Sequence, residues 1–293
     1  MKKRILLVSD MHYTTDITPK EMEKINPEID VSAAAGDAFG YTQKQKIERI
    51  LKDVMKENEK EKLDMILVLG DLSIDDYSFR NLEDNYCKKF REECMDKFPC
   101  PTYAIPGNHD SYPNNMWKEA IGTDRQFAIE KDYAVFLMMD NFNNSPADSA
   151  SGSKYTPTDV EWLKEMIKKY SDKKIFLCAH MFRTNETETD EFRKIVRETE
   201  NIVALFRGHT HIDEVINFEG KPLIDIGGYA YNGFCIDGEY TFSIFDEKWA
   251  WGYQLLEFDD EKISTWHVKP SIYYKAQNGN FDFKEIITEK LYL

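Results

Sequence analysis

The sequence lacks the long apolar runs that a membrane-spanning helix requires: none of its 293 residues sits in an uncharged stretch of bilayer length. Its start, MKKRILLVSDMH, imitates a secretory leader, but the apolar run Ile5–Val8 ends after four residues at Ser9 and Asp10. That is too short for the apolar segment of a leader. Cysteine is scarce, with Cys87, Cys94, Cys100, Cys178 and Cys235 forming no C-x-x-C pair and leaving an odd number. This argues against a disulfide scaffold and fits reduced thiols in a cytoplasmic protein. Positive charge is also short, 38 Lys and Arg against 53 Asp and Glu, for a net charge of -15. Such a surface repels nucleic acid and anionic membranes. An anionic substrate would need positive charge concentrated at its site, which bound metal ions can supply.

What the chain does contain is apolar, with 42% hydrophobic and 13% aromatic residues, enough for a substantial core. Apolar runs at Arg4–Val8, Met65–Leu69, Thr102–Ile105, Ala134–Met139, Lys174–Ala179 and Ile202–Phe206 read as strands, most of them buried on both faces. Helical stripes lie between some of them. Ile47, Ile50, Leu51, Val54 and Met55 form one, with Thr42 as its N-cap; Val160, Leu163 and Ile167 form another, with Pro157 in its first turn. Alternating strands and helices predict an α/β layered fold. From about Val215 the pattern turns to short strands and tight turns, with EGK and FDDEKIS as hairpin signals, and these predict antiparallel additions to a second sheet.

The informative residues fall where the strands end. Val8 leads to Ser9-Asp10-Met11-His12, Leu69 to Gly70-Asp71, Ile105 to Pro106-Gly107-Asn108-His109-Asp110, Ala179 to His180, and Phe206 to Gly208-His209-Thr210-His211. Open α/β sheets bind ligands beyond the carboxyl ends of their strands, and five of the six histidines occupy such positions. Singly, each has an ordinary explanation: Asp10 can cap a helix, Asn108 can hold a turn, and His180 can be a satisfied core histidine. Together they make a donor set of imidazoles and carboxylates suited to first-row metals, and without cysteine they do not resemble a closed structural zinc site. In the last motif, Gly208 allows a bend that converges two histidines on one point.

In their order, D-x-H, G-D, G-N-H-D, H and G-H-x-H, these blocks resemble the calcineurin-like metallophosphoesterases over about residues 4–228. The resemblance implies a layered sandwich of two mixed β-sheets flanked by helices. It divides the chain into a catalytic core, 1–230, and a β-rich C-terminal extension, 231–293, packed on the same domain. It implies two divalent transition-metal ions (Mn, Fe or Zn), one held by Asp10, His12 and His211, the other by Asn108, His180 and His209, with Asp71 bridging. The function expected is hydrolysis of a small phosphate ester by metal-activated water, a phosphodiester (a cyclic nucleotide among them) before a phosphomonoester. The rivals are a non-catalytic protein-binding scaffold of the same fold and a nuclease. The filled donor set argues against the first and the net charge against the second.

His109 is the remaining histidine on the rim and reads as the general acid, oriented by the neighbouring Asp110. Arg183 reads equally as a substrate-phosphate contact or a solvated loop residue. Tyr13, Tyr41 and Asn143 are candidates for the pocket wall, and the segment Tyr13–Tyr41, leaving the first strand at its ligand end, for a lid. A second Gly-Asp pair, Gly36-Asp37, competes with Asp71 for the bridging role but lacks its strand-end setting. Cys178 reads as strand filler, and His267 as an exposed strand residue without a role.

Overall fold

Each central strand sends alternate residues into two different cores, and this alternation builds the layers. The structure, a computed structural model, describes residues 2–13, 43–73, 85–110, 112–142, 154–185, 188–229, 233–236, 239–242, 252–259, 262–275 and 281–293. Strands β1 (Lys3–Val8), β2 (Met65–Leu69) and β3 (Thr102–Ile105) run parallel in the first sheet. In the second, β4 (Phe127–Glu130) pairs antiparallel with β5 (Val135–Met139), and β5, β6 (Ile175–Ala179) and β7 (Ile202–Arg207) run parallel. A hairpin of β8 (Asp213–Phe218) and β9 (Lys221–Ile226) completes that sheet in the order β4-β5-β6-β7-β9-β8. Its turn places Glu219 and Gly220 at φ 54° and 84°, the positive values that tight hairpin turns favour. A separate ladder joins β10 (Gly233–Ile236) to β11 (Glu239–Phe242).

The remaining strands join the first sheet, whereas the sequence pointed to the second. β12 (Tyr253–Asp259) lies antiparallel beside β1, followed outward by β13 (Lys262–Lys275) and β14 (Phe281–Ile287), with β15 (Leu291–Tyr292) on β13. β1 has β2 on one side only, and β12 satisfies its other edge.

Ile5, Leu7, Met65, Leu67 and Ile105 face Phe136, Met138, Phe176, Cys178 and Phe206 between the sheets. Phe258 of β12 meets Phe176 edge-on at 5.5 Å within the same layer. Leu6, Val8, Ile66 and Val68 point the other way, under α1 (Gln43–Lys60), α2 (Tyr86–Glu93) and α3 (Asn114–Ile121). Val135, Leu137, Leu177 and Leu205 pack under α4 (Val160–Lys169) and α5 (Asp190–Glu198). The result is two mixed sheets between two helical layers.

Local details differ from the sequence reading. Met55 is 41% exposed, outside the buried stripe of α1. Helix α4 starts after Asp159, whose side chain accepts from Trp162 N, so Pro157 precedes the cap. Helices α2, α3 and α5 and strand β4 were not picked out in the sequence; α5 buries Phe192 and Val196, one turn apart. Among the described residues, no helix is long and apolar enough to cross a membrane.

Candidate metal centre

Parallel pairing within each sheet brings the carboxyl ends of β1, β2, β3, β6 and β7 to one rim. The loops beyond the strands continue the pairing. Asp10 N donates to Gly70 O (3.1 Å), His12 N to Asp71 O (3.0 Å), and Gly208 N to His180 O (3.0 Å). The first sheet contributes Asp10, His12, Asp71 and Asn108; the second contributes His180, His209 and His211.

The backbone is strained where these side chains attach. Among described non-glycine residues, positive φ occurs at Asp10 (56°), His12 (43°), Asp71 (50°), His209 (66°) and His211 (57°), and elsewhere only at the Glu219 turn. Each such residue costs about 1–3 kcal/mol and persists only where surrounding contacts enforce it. The motif glycines serve close approach. A Cβ at Gly107 would fall 2.1 Å from Asp71 Oδ1, and one at Gly208 would fall 1.8 Å from Ser9 Oγ. Gly208 therefore does not supply the bend expected of it. The left-handed residues are His209 and His211 themselves.

Both acidic side chains are held by one oxygen and present the other. Asp10 Oδ2 accepts from His209 N (3.0 Å) and Asp71 Oδ1 from His109 N (2.9 Å). Asp10 Oδ1 lies 3.2 Å from His211 Nε2 and 3.7 Å from His12 Nε2. Asp71 Oδ2 lies 3.2 Å from His180 Nε2 and 3.8 Å from His12 Nε2. The Nε2 atoms of His12 and His211 are 3.3 Å apart. Asn108 Oδ1 sits 3.1 Å from His180 Nε2 and 2.9 Å from His209 Nδ1. Ligand atoms of Asp10, His12 and His211 form one close group, those of Asp71, His180 and His209 another, and those of His12, Asp71 and His109 a third.

This arrangement fits cations between the donors. His180 Nδ1 is 2.7 Å from Leu69 O, an acceptor that requires the proton on Nδ1. Its Nε2 then faces the oxygens of Asn108 and Asp71, a contact that needs a positive charge, supplied by a second proton on the ring or by a bound cation in its place. Asp10, Asp71 and His180 are 0%, 1% and 0% exposed. Burial pushes both carboxyls upward, yet neighbouring histidines, His211 and His180 around Asp10, His180 and His109 around Asp71, hold them below the ordinary range. Burial opposes charge on His180 as well, but Asp71 and Asp10 raise it to about 9. His209, desolvated and beside His180, falls to about 3. No lysine or arginine is among the groups that act most strongly on either carboxylate. The donor set is that of a two-metal centre.

The remaining candidates divide. His109 is 8% exposed, its ring edge-on to His12 with centroids 5.3 Å apart. Asp110 has a different task from the one expected. Its Oδ2 accepts from Leu72 N (3.0 Å) and Gly107 N (2.9 Å), and its Oδ1 from Ser73 N (2.9 Å), so it splices the Asp71 and Asn108 loops and does not orient His109. Tyr13 is buried in the apolar core near Phe90, not on a pocket wall. Arg183 is half-buried with its guanidinium 4.9 Å over the Tyr155 ring, and Tyr155 packs on Phe142, itself 5.6 Å from His180. His267 is 3% exposed, with Nδ1 3.2 Å from Gln254 Oε1, and burial lowers it to about 3. The exposed position predicted for it is incorrect, because β13 is covered on both faces over residues 263–269. Asp37, Tyr41, Thr42, Asn143 and the 14–40 lid segment lie outside the described residues.

Sequence reasoning missed Ser9, whose hydroxyl donates to Leu69 O (2.8 Å), and the buried pair Arg207–Asp225 behind the H-x-H turn. An arginine closing the apolar run of β7 was the available signal.

A family model described as calcineurin-like phosphoesterase matches residues 3–213, which include all five motifs and end before β12. No curated protein matches the sequence. A dimetal phosphatase from Danio rerio is similar in structure, with 11% identity, a TM-score of 0.58, and coverage of 90% of this chain and 95% of that one. GAP50, described as the anchor in the inner membrane complex of Plasmodium, aligns with 13% identity and a TM-score of 0.55 over 97% of this chain and 89% of its own. A purple acid phosphatase from yellow lupin seeds aligns with 10% identity and a TM-score of 0.53, over 98% of this chain and 53% of the phosphatase. At these identities the likeness is one of fold.

Proposed function

The chain belongs to the calcineurin-like phosphoesterase family, whose chemistry is metal-dependent phosphoester hydrolysis, and from that premise we propose that it acts on a small phosphodiester at the rim described above. The observation that carries the reading is the convergence of buried donors with no lysine or arginine among the strongest influences on the two carboxylates. Asp10, His12 and His211 would hold one ion and Asn108, His180 and His209 the other, with Asp71 Oδ2 facing both groups.

When bound, two divalent ions supply a nucleophile from water near neutral pH and neutralise charge on the phosphoryl group. The protein does the rest. Asp10 is locked through one oxygen by a backbone amide from the opposing sheet, and Asp71 by one from the neighbouring strand end, which fixes the direction of the other oxygen in each. His109, held through its backbone by Asp71, delivers a proton to the departing ester oxygen. Asp110 sets the turn that carries His109, and Arg183 contacts the outer face of the phosphate.

A diester is preferred because, among the described residues, Arg183 is the one cationic side chain assigned to the phosphate, and its single charge matches that of a diester better than that of a monoester dianion. Nucleic acid is disfavoured as a substrate by the net charge of -15. A protein of similar fold is described as an anchor, which is the scaffold alternative; the complete donor set favours catalysis here. The free thiols of Cys87, Cys94, Cys100 and Cys178 accord with a cytoplasmic protein.

Protein reconstituted with Mn, Fe or Zn should hydrolyse bis-p-nitrophenyl phosphate faster than p-nitrophenyl phosphate, with cyclic AMP as the natural-type probe. A preference for p-nitrophenyl phosphate would replace the diester reading with a monoesterase, and inactivity on all three with every metal would reject the catalytic one.

A further inference from the structure

Behind the H-x-H turn lies a polar assembly that the mechanism above leaves unused. Strand register pairs Arg207, the last residue of β7, with Asp225 on β9. Both are buried, at 9% and 1% exposure. Arg207 grips the carboxylate with two nitrogens, Nε to Oδ1 at 2.6 Å and Nη2 to Oδ2 at 2.9 Å, the bidentate fork that fixes orientation as well as distance. Its third nitrogen donates to Phe182 O, on the loop that follows His180. Asp225 Oδ1 also accepts from the hydroxyl of Thr210 (2.8 Å), the residue between His209 and His211. One buried ion pair thus touches the His180 loop, the end of β7 and the middle of the H-x-H turn.

The two histidines of the second donor group need such a link. His180 and His209 stand on different strand ends, their ring centroids 5.2 Å apart, and their nitrogens meet at Asn108 Oδ1. The turn that carries His209 is left-handed on both sides of Thr210, at φ 66° and 57°. Strained turns persist only when surrounding contacts over-determine them. A backbone bond, Gly208 N to His180 O, fixes the base of the turn, and Thr210 is its side-chain anchor. His211, in contrast, approaches Asp10 Oδ1 directly at 3.2 Å.

We propose that Thr210 is a positioning residue: through Asp225 and Arg207 it sets His209 against His180 and so tunes the second metal subsite more than the first. The inference rests on the two-metal reading of this rim. It assigns a task to the spacer of G-H-x-H, which coordinates nothing.

The test avoids Asp225→Asn, which would leave Arg207 buried without its counter-charge and endanger the fold. Thr210→Val keeps the shape and removes the hydroxyl, and Thr210→Ser keeps the hydroxyl. Metal-free full-length proteins are titrated with Mn(II), with uptake followed by calorimetry and by the electron paramagnetic resonance signature that separates coupled Mn pairs from single ions. Thr210→Val should bind its first ion like the wild type and its second about 10–100-fold more weakly, the range for loss of an outer-sphere partner. The coupled signal should appear only at higher Mn, and Thr210→Ser should restore it. Wild-type behaviour of Thr210→Val overturns the proposal, as does failure of Thr210→Ser to restore binding. Equal weakening of both ions with a lower metal-free Tm overturns it too, since that marks a general structural role. A wild type that never binds a second ion defeats the two-metal reading, and this inference with it.

Discussion

The two sheets bring different chemistry to the rim. The first contributes both carboxylates and the amide, Asp10, Asp71 and Asn108, together with one imidazole, His12. The second contributes imidazoles alone: His180, His209 and His211. Neither sheet alone supplies the set proposed for either ion, because Asp10 and His12 would be completed by His211, and Asp71 and Asn108 by His180 and His209; the one close group confined to the first sheet, His12, Asp71 and His109, includes the residue assigned to proton transfer. The centre is therefore a seam. Its geometry depends on how the sheets pack through Phe136, Phe176, Phe206 and Phe258 beneath it. Bound ions should in turn hold the sheets together, because a ligand that binds only the folded state stabilises it.

The comparison breaks most completely at Asp71, which faces both donor groups. Asp71→Asn should strip both ions and reduce hydrolysis by more than the range of about 10²–10⁴ that one positioned acid contributes. Metal content and kcat/KM measured together check this; retention of both ions would mean that Asp71 does not bridge.

His109 separates proton delivery from coordination. His109→Ala should keep both ions and lose about 10²–10⁴ in rate on alkyl esters, but much less on nitrophenyl esters, whose leaving group departs without a proton. The nitrogens of His109 fall within the group of His12 and Asp71, so loss of an ion in this variant would make it a ligand instead.

The seam itself is tested by Phe176→Ala in the layer between the sheets. The cavity should cost about 3–5 kcal/mol in denaturant unfolding. It should also weaken metal uptake, although no donor has been touched. Unchanged metal affinity at that loss of stability would show that the donors are held locally, independently of sheet packing.

The smallest effect is expected at the far side of the first sheet. There Glu57 accepts from Arg4 (2.8 Å), Lys60 (2.6 Å) and Tyr253 (3.1 Å), joining α1 to β1 and β12. Glu57→Gln should cost about 1.5–3 kcal/mol at neutral pH. Burial raises the carboxyl, but Lys60 and Arg4 outweigh it, so its folded value lies below the ordinary 4.5. A depressed carboxyl stabilises the fold above its unfolded value and loses that contribution as pH falls through the folded one. The Tm gap between wild type and variant should thus close only on acidification below about 4.5, with the metal centre unaffected at neutral pH. A gap independent of pH would contradict the charged hub.

The rim was legible because its strands are buried on both faces and stop abruptly at charged or imidazole residues, as in Val8 to Asp10 and Leu69 to Asp71. What was not legible depends on contacts between sheets. Asp110 follows His109 and so reads as its orienting partner, but it turns to the amides of Leu72 and Ser73 on a different strand end. His267 reads as solvent-facing because alternation on one strand cannot reveal that a second sheet covers it; Lys269, two residues on, is likewise buried and paired with Asp213 of β8. The left-handed φ of five donor residues was not read from the sequence, although all five are Asp or His, types that enter that region more readily than most.

The most direct measurement is the anomalous scattering of metal-loaded crystals, collected at the absorption edge of the bound element. The account requires two peaks about 3.5–4 Å apart, one among Asp10, His12 and His211, the other among Asn108, His180 and His209, with Asp71 between them. A single peak, or a pair that leaves His180 and His209 without an ion, would contradict it.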